Sequence, residues 1–418
     1  MFKKLTVLII LFAGLMGATW QTASAASTTP KIYIDGNILS LSNKPIVKNG
    51  TTLVPVRQIA EKLGLTVGYD GKTNTITFKD PYHSTNITHK IGTNKVNVGS
   101  KSRTLLQNSV AINGVTYVPI RLFEAFDARV FWEASTNNIY VSSYELWQNQ
   151  LLILANLSYD NLYSVPQGKK LKDINFNNLP KIKADFERVQ KKLYIYNSDA
   201  KGNLSVDRFL KEYYQIGDWE FLTYLTKSDF TSTKEYDKMK KTGFDGFAFR
   251  NLKTKEVVIA YRGSEQPSDF LSASKGTVIA NSQKPYALKL FTKVYSKYNK
   301  PVVYLVGHSL GGNLTQAVTQ YYPKNVKQGY TYNAFGIGTP SSTKQVVNYR
   351  IVEDKVESLR SHFGRSVYYN VRPYPNSLFA MESHSIFNFY GHFFAPKTKY
   401  WGYAVPYKNG KPNYEWTY

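Results

Sequence analysis

The 418-residue chain contains no cysteine. Disulfides, thiolate metal ligation and a cysteine nucleophile are therefore all excluded. A chain without thiols also has nothing to mispair in an oxidising compartment. Acidic residues are scarce, 29 against 53 Lys and Arg, for a formal charge of +24. A surface with that balance favours anionic partners, and wall polymers or acidic phospholipid headgroups are the expected ones. Nucleic acid is not expected, because no basic cluster is dense and no nucleic-acid motif is present. Long apolar runs are also missing, apart from Leu5 to Met16, which is too short to span a bilayer. Lys3-Lys4 precedes that run and Ala23-Ser24-Ala25 follows it, the pattern of a signal peptide over residues 1–25. The expectation is a secreted protein, or one associated with the cell surface or cell wall.

An internal repeat occupies the first third. Asn49-Gly50-Thr51-Thr52-Leu53-Val54-Pro55-Val56-Arg57 returns 64 residues later as Asn113-Gly114-Val115-Thr116-Tyr117-Val118-Pro119-Ile120-Arg121. The match resumes one residue closer, with Val67-Gly68-Tyr69-Asp70 facing Val130-Phe131-Trp132-Glu133 and Thr73-Asn74-Thr75-Ile76 facing Thr136-Asn137-Asn138-Ile139. Each unit reads as a hairpin turning at Asn-Gly, a strand entering V-P-[VI]-R, a short helix and a closing hairpin. Over residues 31–143 the two G-x-T-x-V-P-[VI]-R signatures resemble the copper amine oxidase N-terminal-like stalk domain. No copper or other metal is expected despite that name, since His83 and His89 are the only histidines of the region. The expected role is that of a spacer or surface binder.

The second domain, 145–418, opens with helical apolar spacing from Glu145 to Tyr159. Residues 164–242 are polar and poorly periodic, and read as helices and loops decorating a core. A hairpin over Phe247–Arg250 and Glu256–Tyr261 follows, then strands at Val302–Val306, Gly329–Phe335 and Val346–Val352 with helices between them. Strands alternating with helices imply an open, largely parallel sheet. Tyr403 to Pro412 reads as a terminal hairpin around Asn409-Gly410.

Strand Pro301–Val306 runs into Gly307-His308-Ser309-Leu310-Gly311-Gly312, and an amphipathic helix follows. This G-x-S-x-G turn is so tight that the residues two before and two after the serine must be small. Ser309 Oγ is thereby lifted out of the backbone at a helix N-terminus. A serine hydroxyl needs a general base held by a carboxylate, and in this architecture the chain order is Ser, then Asp or Glu, then His. The histidines after the elbow are His362, His384 and His392. His384 is preferred, in a loop leading to an apolar segment. His392 has an aromatic context, and His362 is eight residues beyond the candidate acid. Asp354 is the preferred acid, at the exit of strand Val346–Val352, with Glu353 and Glu357 beside it. The oxyanion hole needs two backbone N–H groups. Leu310 supplies one, and the strand end Arg262-Gly263-Ser264 is well placed for the other.

Ala260-Tyr261-Arg262-Gly263-Ser264, Asp269-Phe270, the G-H-S-L-G-G elbow and Asn333-Ala334-Phe335-Gly336 resemble the class 3 lipases of the α/β-hydrolase superfamily, as does Ala155-Asn156-Leu157-Ser158-Tyr159 near the domain start. The likeness spans about 145–395. It implies an oxyanion hole at Ser264 and Leu310 and a triad of Ser309, Asp354 and His384. Residues 270–283 depart from the family by lacking its second acidic position. The expected fold is α/β: an α/β-hydrolase domain with a mostly parallel sheet behind a small α+β two-repeat domain. The expected function is a lipase- or phospholipase-like serine ester hydrolase that needs no cofactor and acts on a lipid or other ester. Residues 264–283 and 164–242 are lid candidates. The alternatives are an inactive cell-surface binding protein, or a thioesterase or peptidase on the same fold.

Overall fold

Val54 pairs with Val118, its own counterpart in the repeat, while Leu53 faces Pro119 and Pro55 faces Tyr117. The two units therefore meet about a local two-fold axis. The computed structural model describes residues 29–80, 86–193, 205–212, 214–264, 273–351 and 359–369, with Asp354, Val356, 384–386, Phe389 and the pairs 407–408 and 411–412. The segment expected to be a signal peptide, His83, Glu353, Glu357, His392 and parts of both lid candidates lie outside the described residues. Among the described residues no helix is long and apolar enough to cross a membrane.

Both opening hairpins turn as expected. Asn49 and Gly50 have φ of 49° and 70°, and Asn113 and Gly114 have 48° and 76°, the left-handed pair that Asn-Gly supplies. The motif arginine does the same work twice: Arg57 Nη1 donates to Val67 O and Arg121 Nη1 to Val130 O, both at 3.4 Å. The helices differ. Val56–Lys62 is α-helical, whereas Ile120–Phe126 is a 3-10 helix. The second repeat has one residue fewer before its closing hairpin, and the larger rise per residue of a 3-10 helix spans the same gap with less chain. His89 is buried, with Nδ1 against Lys95 O at 2.8 Å and Nε2 against Ser109 Oγ at 2.7 Å. It is a satisfied core histidine.

The second domain begins with helix α1 (Tyr144–Leu157), capped by Ser143, whose Oγ accepts from Leu146 N at 3.1 Å. Then come β1 (Lys169–Lys170), α2 (Pro180–Leu193), α3 (Val206–Glu212), β2 (Trp219–Tyr224), α4 (Thr233–Lys241), β3 (Gly246–Asn251) and β4 (Val257–Tyr261). The chain continues with α5 (Ala273–Lys297), β5 (Val303–His308), α6 (Leu310–Tyr321), β6 (Val326–Tyr332), β7 (Val346–Ile351) and β8 (Arg365–Tyr369). The eight strands form one sheet whose spatial order follows chain order. From β4 to β8 neighbours are parallel, and from β1 to β4 antiparallel. The sheet is thus mixed, with its parallel half carrying the elbow. β1 and β2 come from the stretch expected only to decorate the core. Every residue of β2 from Trp219 to Thr223 is buried, so covering on both faces erased the alternation that marks a strand. Far along the chain, Tyr407–Lys408 pairs with Lys411–Pro412, a short hairpin as expected.

Right-handed crossovers between parallel neighbours laid down in one direction put their helices on one face. Accordingly α5 and α6 share the face of Val257, Ile259, Tyr261, Val303 and Leu305. The other face, with Val258, Ala260, Tyr304 and Val306, is covered by α1. Ile182 and Phe186 of α2 and Leu210 of α3 pack into the same cluster, so α1 is buried on all sides from Leu146 to Leu157.

The two domains are joined without slack. Strand Asn138–Ser142 is followed by Ser143 and then α1, and Ser143 N donates to Asp35 Oδ1 at 2.7 Å. Arg129 of the small domain donates to Tyr304 Oη at 2.6 Å, lies 4.2 Å above the Trp147 ring and pairs with Glu256. Tyr304 and Glu256 stand at the N-terminal ends of β5 and β4, so the small domain contacts the end of these strands opposite the elbow. The arginine is 22% exposed and the glutamate 13%, so removing one partner strands a largely buried charge, at a cost of about 3 kcal/mol. Arg129→Ala should split a single calorimetric unfolding transition into two. An unchanged thermogram would show that the latch does not couple the domains.

Candidate active site

β5 is buried along its whole length and delivers Ser309 at φ 55° and ψ −124°, a strained conformation for a non-glycine residue. The sharpness of the turn follows from its glycines. A Cβ on Gly307 would lie 2.2 Å from the Gly311 carbonyl carbon, and one on Gly311 would lie 1.9 Å from Tyr261 O. The turn is closed by Ser309 N donating to Tyr332 O at 3.0 Å and by Ser309 O accepting from Gly312 N and Asn313 N. Asn313 Nδ2 and Gln316 Nε2 both reach Phe335 O, at 3.3 and 3.1 Å, which ties the helix after the elbow to the loop after β6.

That loop passes the geometry on. Asn333 Oδ1 accepts from Ile351 N at 2.9 Å and fixes the end of β7, three residues before Asp354. Asp354 is 1% exposed; its Oδ1 accepts from Val356 N at 2.9 Å, which leaves Oδ2 for His384 Nδ1 at 2.7 Å. His384 Nε2 lies 2.8 Å from Ser309 Oγ. A carboxylate only accepts, so Nδ1 carries the proton and Nε2 is left to take the serine's. The structure thus brings together the three residues picked from chain order, all at most 2% exposed. His362 is engaged elsewhere, its Nε2 2.7 Å from Ala334 O.

One proposed oxyanion donor follows the serine directly in the chain, and the residue before the other packs against it. Leu310 is the first residue of α6, whose opening N–H groups have no partner within the helix. The strand end Arg262-Gly263-Ser264 is held by Arg262, which pairs with Asp245 at 2.7 Å and whose N donates to Asp245 O at 3.0 Å. Gly263 packs so tightly that a Cβ there would meet Tyr159 Oη at 2.1 Å and Ser309 Cβ at 3.2 Å. Ser264 is the next residue, and residues 265–272 lie outside the described residues.

Two residues given no catalytic part by the sequence complete the site. His308 Nε2 lies 2.6 Å from the backbone oxygen of His384, and its Nδ1 lies 2.7 Å from Tyr159 Oη. A carbonyl only accepts, so Nε2 carries the proton and the Tyr159 hydroxyl donates to Nδ1. Burial, reinforced by the nearby His384, pushes the pKa of His308 down to about 3, so the ring is neutral. His308 therefore anchors the backbone of the candidate base, and Tyr159 anchors His308. Tyr159 ends the Ala155–Tyr159 segment already noted for its resemblance, but no local signal marks a contact 149 positions away.

Two family models match parts of the chain. Residues 33–141 match the copper amine oxidase N-terminal domain, and residues 213–356 match a Tle-like phospholipase domain. No curated protein matches the sequence. Among solved structures, a triacylglycerol lipase from Penicillium expansum is 18% identical, over 45% of this chain and 79% of that one, with a TM-score of 0.27. The Lip2 lipase of Yarrowia lipolytica is 10% identical, over 58% and 81%, with a TM-score of 0.33. A Rhizomucor miehei lipase propeptide complex is 13% identical, over 58% and 71%, with a TM-score of 0.29. The assignment of an α/β-hydrolase fold rests on the sheet and the elbow.

The buried histidines set an acid limit on stability. His308 is lowered to about 3, and burial lowers His362 to about 4, against an ordinary 6.5. Above pH 6.5 both are neutral in either state and stability is intact. Below it the unfolded chain takes up protons that the native state refuses, until pH falls to the native values. Urea unfolding between pH 6 and 5 should lose about 1.4 kcal/mol per pH unit for each histidine. His362→Gln should remove about half of the combined slope, and an unaltered slope would contradict the assignment.

Proposed function

We propose that the chain is a secreted serine ester hydrolase with lipase- or phospholipase-like specificity. The observation that carries this reading is the continuous relay from Asp354 Oδ2 through His384 to Ser309 Oγ, with separations of 2.7 and 2.8 Å. The match of residues 213–356 to a phospholipase domain supports an ester of a lipid as substrate. The excess of 53 basic over 29 acidic residues supports an anionic interface.

In this mechanism Ser309 Oγ attacks the acyl carbon as His384 Nε2 takes its proton. Asp354 holds the imidazole in the required tautomer and stabilises the imidazolium. The oxyanion is held by the N–H groups of Leu310 and Ser264. Its collapse expels the alcohol, which leaves with the proton from Nε2, and an acyl-Ser309 ester remains. Water, deprotonated by His384, then releases the acid and restores the serine.

A fluorophosphonate should label the wild-type protein and leave Ser309→Ala unlabelled. A wild-type protein that does not label would sink the enzymatic reading and leave a surface-binding protein. Asp354→Asn should lower kcat on p-nitrophenyl acyl esters by about 10⁴. Faster turnover of peptide amides or acyl thioesters than of lipid esters, on monomers and on vesicles, would move the chain to one of those chemistries.

A further inference from the structure

The two repeats share an expensive detail that their folding does not require. In the first, Tyr69 is 58% exposed and its Oη donates to Asn74 Oδ1 at 3.0 Å. In the second, the residue at the same place, Trp132, is 54% exposed and its Nε1 donates to Asn137 Oδ1 at 3.2 Å. Both asparagines are left-handed, at φ 56° and 52°. The turn below them is also repeated: Asp70 accepts from Thr73 Oγ1 at 2.7 Å, and Glu133 accepts from Thr136 Oγ1. Each hairpin thus spends a side-chain amide on fixing the edge of a ring whose face stays in water. Leaving so much apolar surface exposed forgoes the stabilisation that burying each ring would bring.

In the second repeat the pinned ring lines a cavity of about 690 Å³. Leu106, 85% exposed, lies along it with Thr51, Thr52 and Thr104. Among the described residues no carboxylate side chain lines it, but Arg103 and Arg121 do, at 44% and 51% exposure. Both guanidiniums pair with the single carboxylate of Glu124, one oxygen each. Two cations against one anion leave the groove positive, with guanidinium N–H groups to spare.

We propose that this groove binds an acidic sugar polymer. The C–H face of a sugar ring is apolar and electropositive, and it stacks on the fixed face of Trp132. The rim hydroxyls of the sugar meet the threonines. A carboxylate or phosphodiester on the same or the next unit reaches Arg103 and Arg121. The concave shape favours a threaded chain over a flat bilayer. The site lies in the small domain and does not depend on the hydrolase chemistry.

The test measures binding of the full chain to polygalacturonate, to a sugar-bearing polyol-phosphate polymer, to neutral dextran and to phosphatidylglycerol vesicles. At least one acidic polymer should bind, and the better of the two names the anion. Trp132→Ala, which changes no charge, should weaken that binding at least tenfold, and Trp132→Phe should keep most of it. Arg103→Gln with Arg121→Gln should also weaken it at least tenfold. Lys234→Gln with Lys241→Gln, the same charge change on exposed α4 positions, should weaken it less than twofold. The thermal midpoint of each variant shows that it is folded. No binding to either acidic polymer, an equal effect of the lysine pair, insensitivity to Trp132→Ala, equal binding to dextran, or binding to vesicles alone would each overturn the proposal.

Discussion

The second domain depends on one contact, the meeting of backbone with backbone where Gly307, Gly311 and Tyr261 converge. A methyl group at Gly311 would lie 1.9 Å from the Tyr261 carbonyl, so strand β4, the elbow and the first turn of α6 can close together only without side chains there. Once closed, the same contact does three things. It forces Ser309 to φ 55° and raises its hydroxyl, and it points the N-terminus of α6 at the reacting centre. It also sets the Arg262-Gly263-Ser264 strand end against the serine. The remaining polar contacts, from Asn313 and Gln316 to Asn333, carry that fixed position outward to Asp354. Precision at the site is therefore inherited from a steric constraint and passed along by hydrogen bonds.

His308 extends the same logic to the base. Its place in the chain, immediately before the nucleophile, makes it as rigid as the elbow itself. By donating to the backbone of His384, it transfers that rigidity to a residue 76 positions away. A neutral ring suits the task, because a second imidazolium 4.8 Å from His384 would oppose the positive charge that would develop there in the proposed mechanism. Burial keeps His308 neutral, which is also the source of the acid sensitivity.

How much was legible in the sequence followed from the range of each interaction. The elbow and the Asn-Gly hairpins are local, and their residue types state the backbone they need. Asp354 and His384 are not local, yet chain order and strand exits leave few places for them. The roles of Tyr159 and Arg129 were invisible, since the segment ending in Tyr159 carried a resemblance but no sign of its contact with His308, and Arg129 looks like a surface charge until its partners arrive from 127 to 175 residues away. Strand β2 was missed for a different reason, because a strand buried on both faces has no period to read. The change from α-helix to 3-10 helix between the repeats follows from a one-residue deletion, which an alignment shows but which propensity does not convert into geometry.

The latch at Arg129 alters what the small domain can do. A spacer on a loose tether would leave the hydrolase free to turn in any direction. Here the small domain grips Tyr304 and Glu256 at one end of strands whose other end carries the serine, with Tyr304 five residues before Ser309, about 17 Å along β5. A polymer held by the Arg103 and Trp132 groove would then fix the enzyme by the end away from its elbow. Such an arrangement suits an ester that is not part of the anchoring polymer and that approaches from the opposite side. The high positive charge acts over no more than about 10 Å at physiological salt and brings the protein near anionic material of any kind. Selecting among those anions is left to shape, which is the part a pinned aromatic ring can supply.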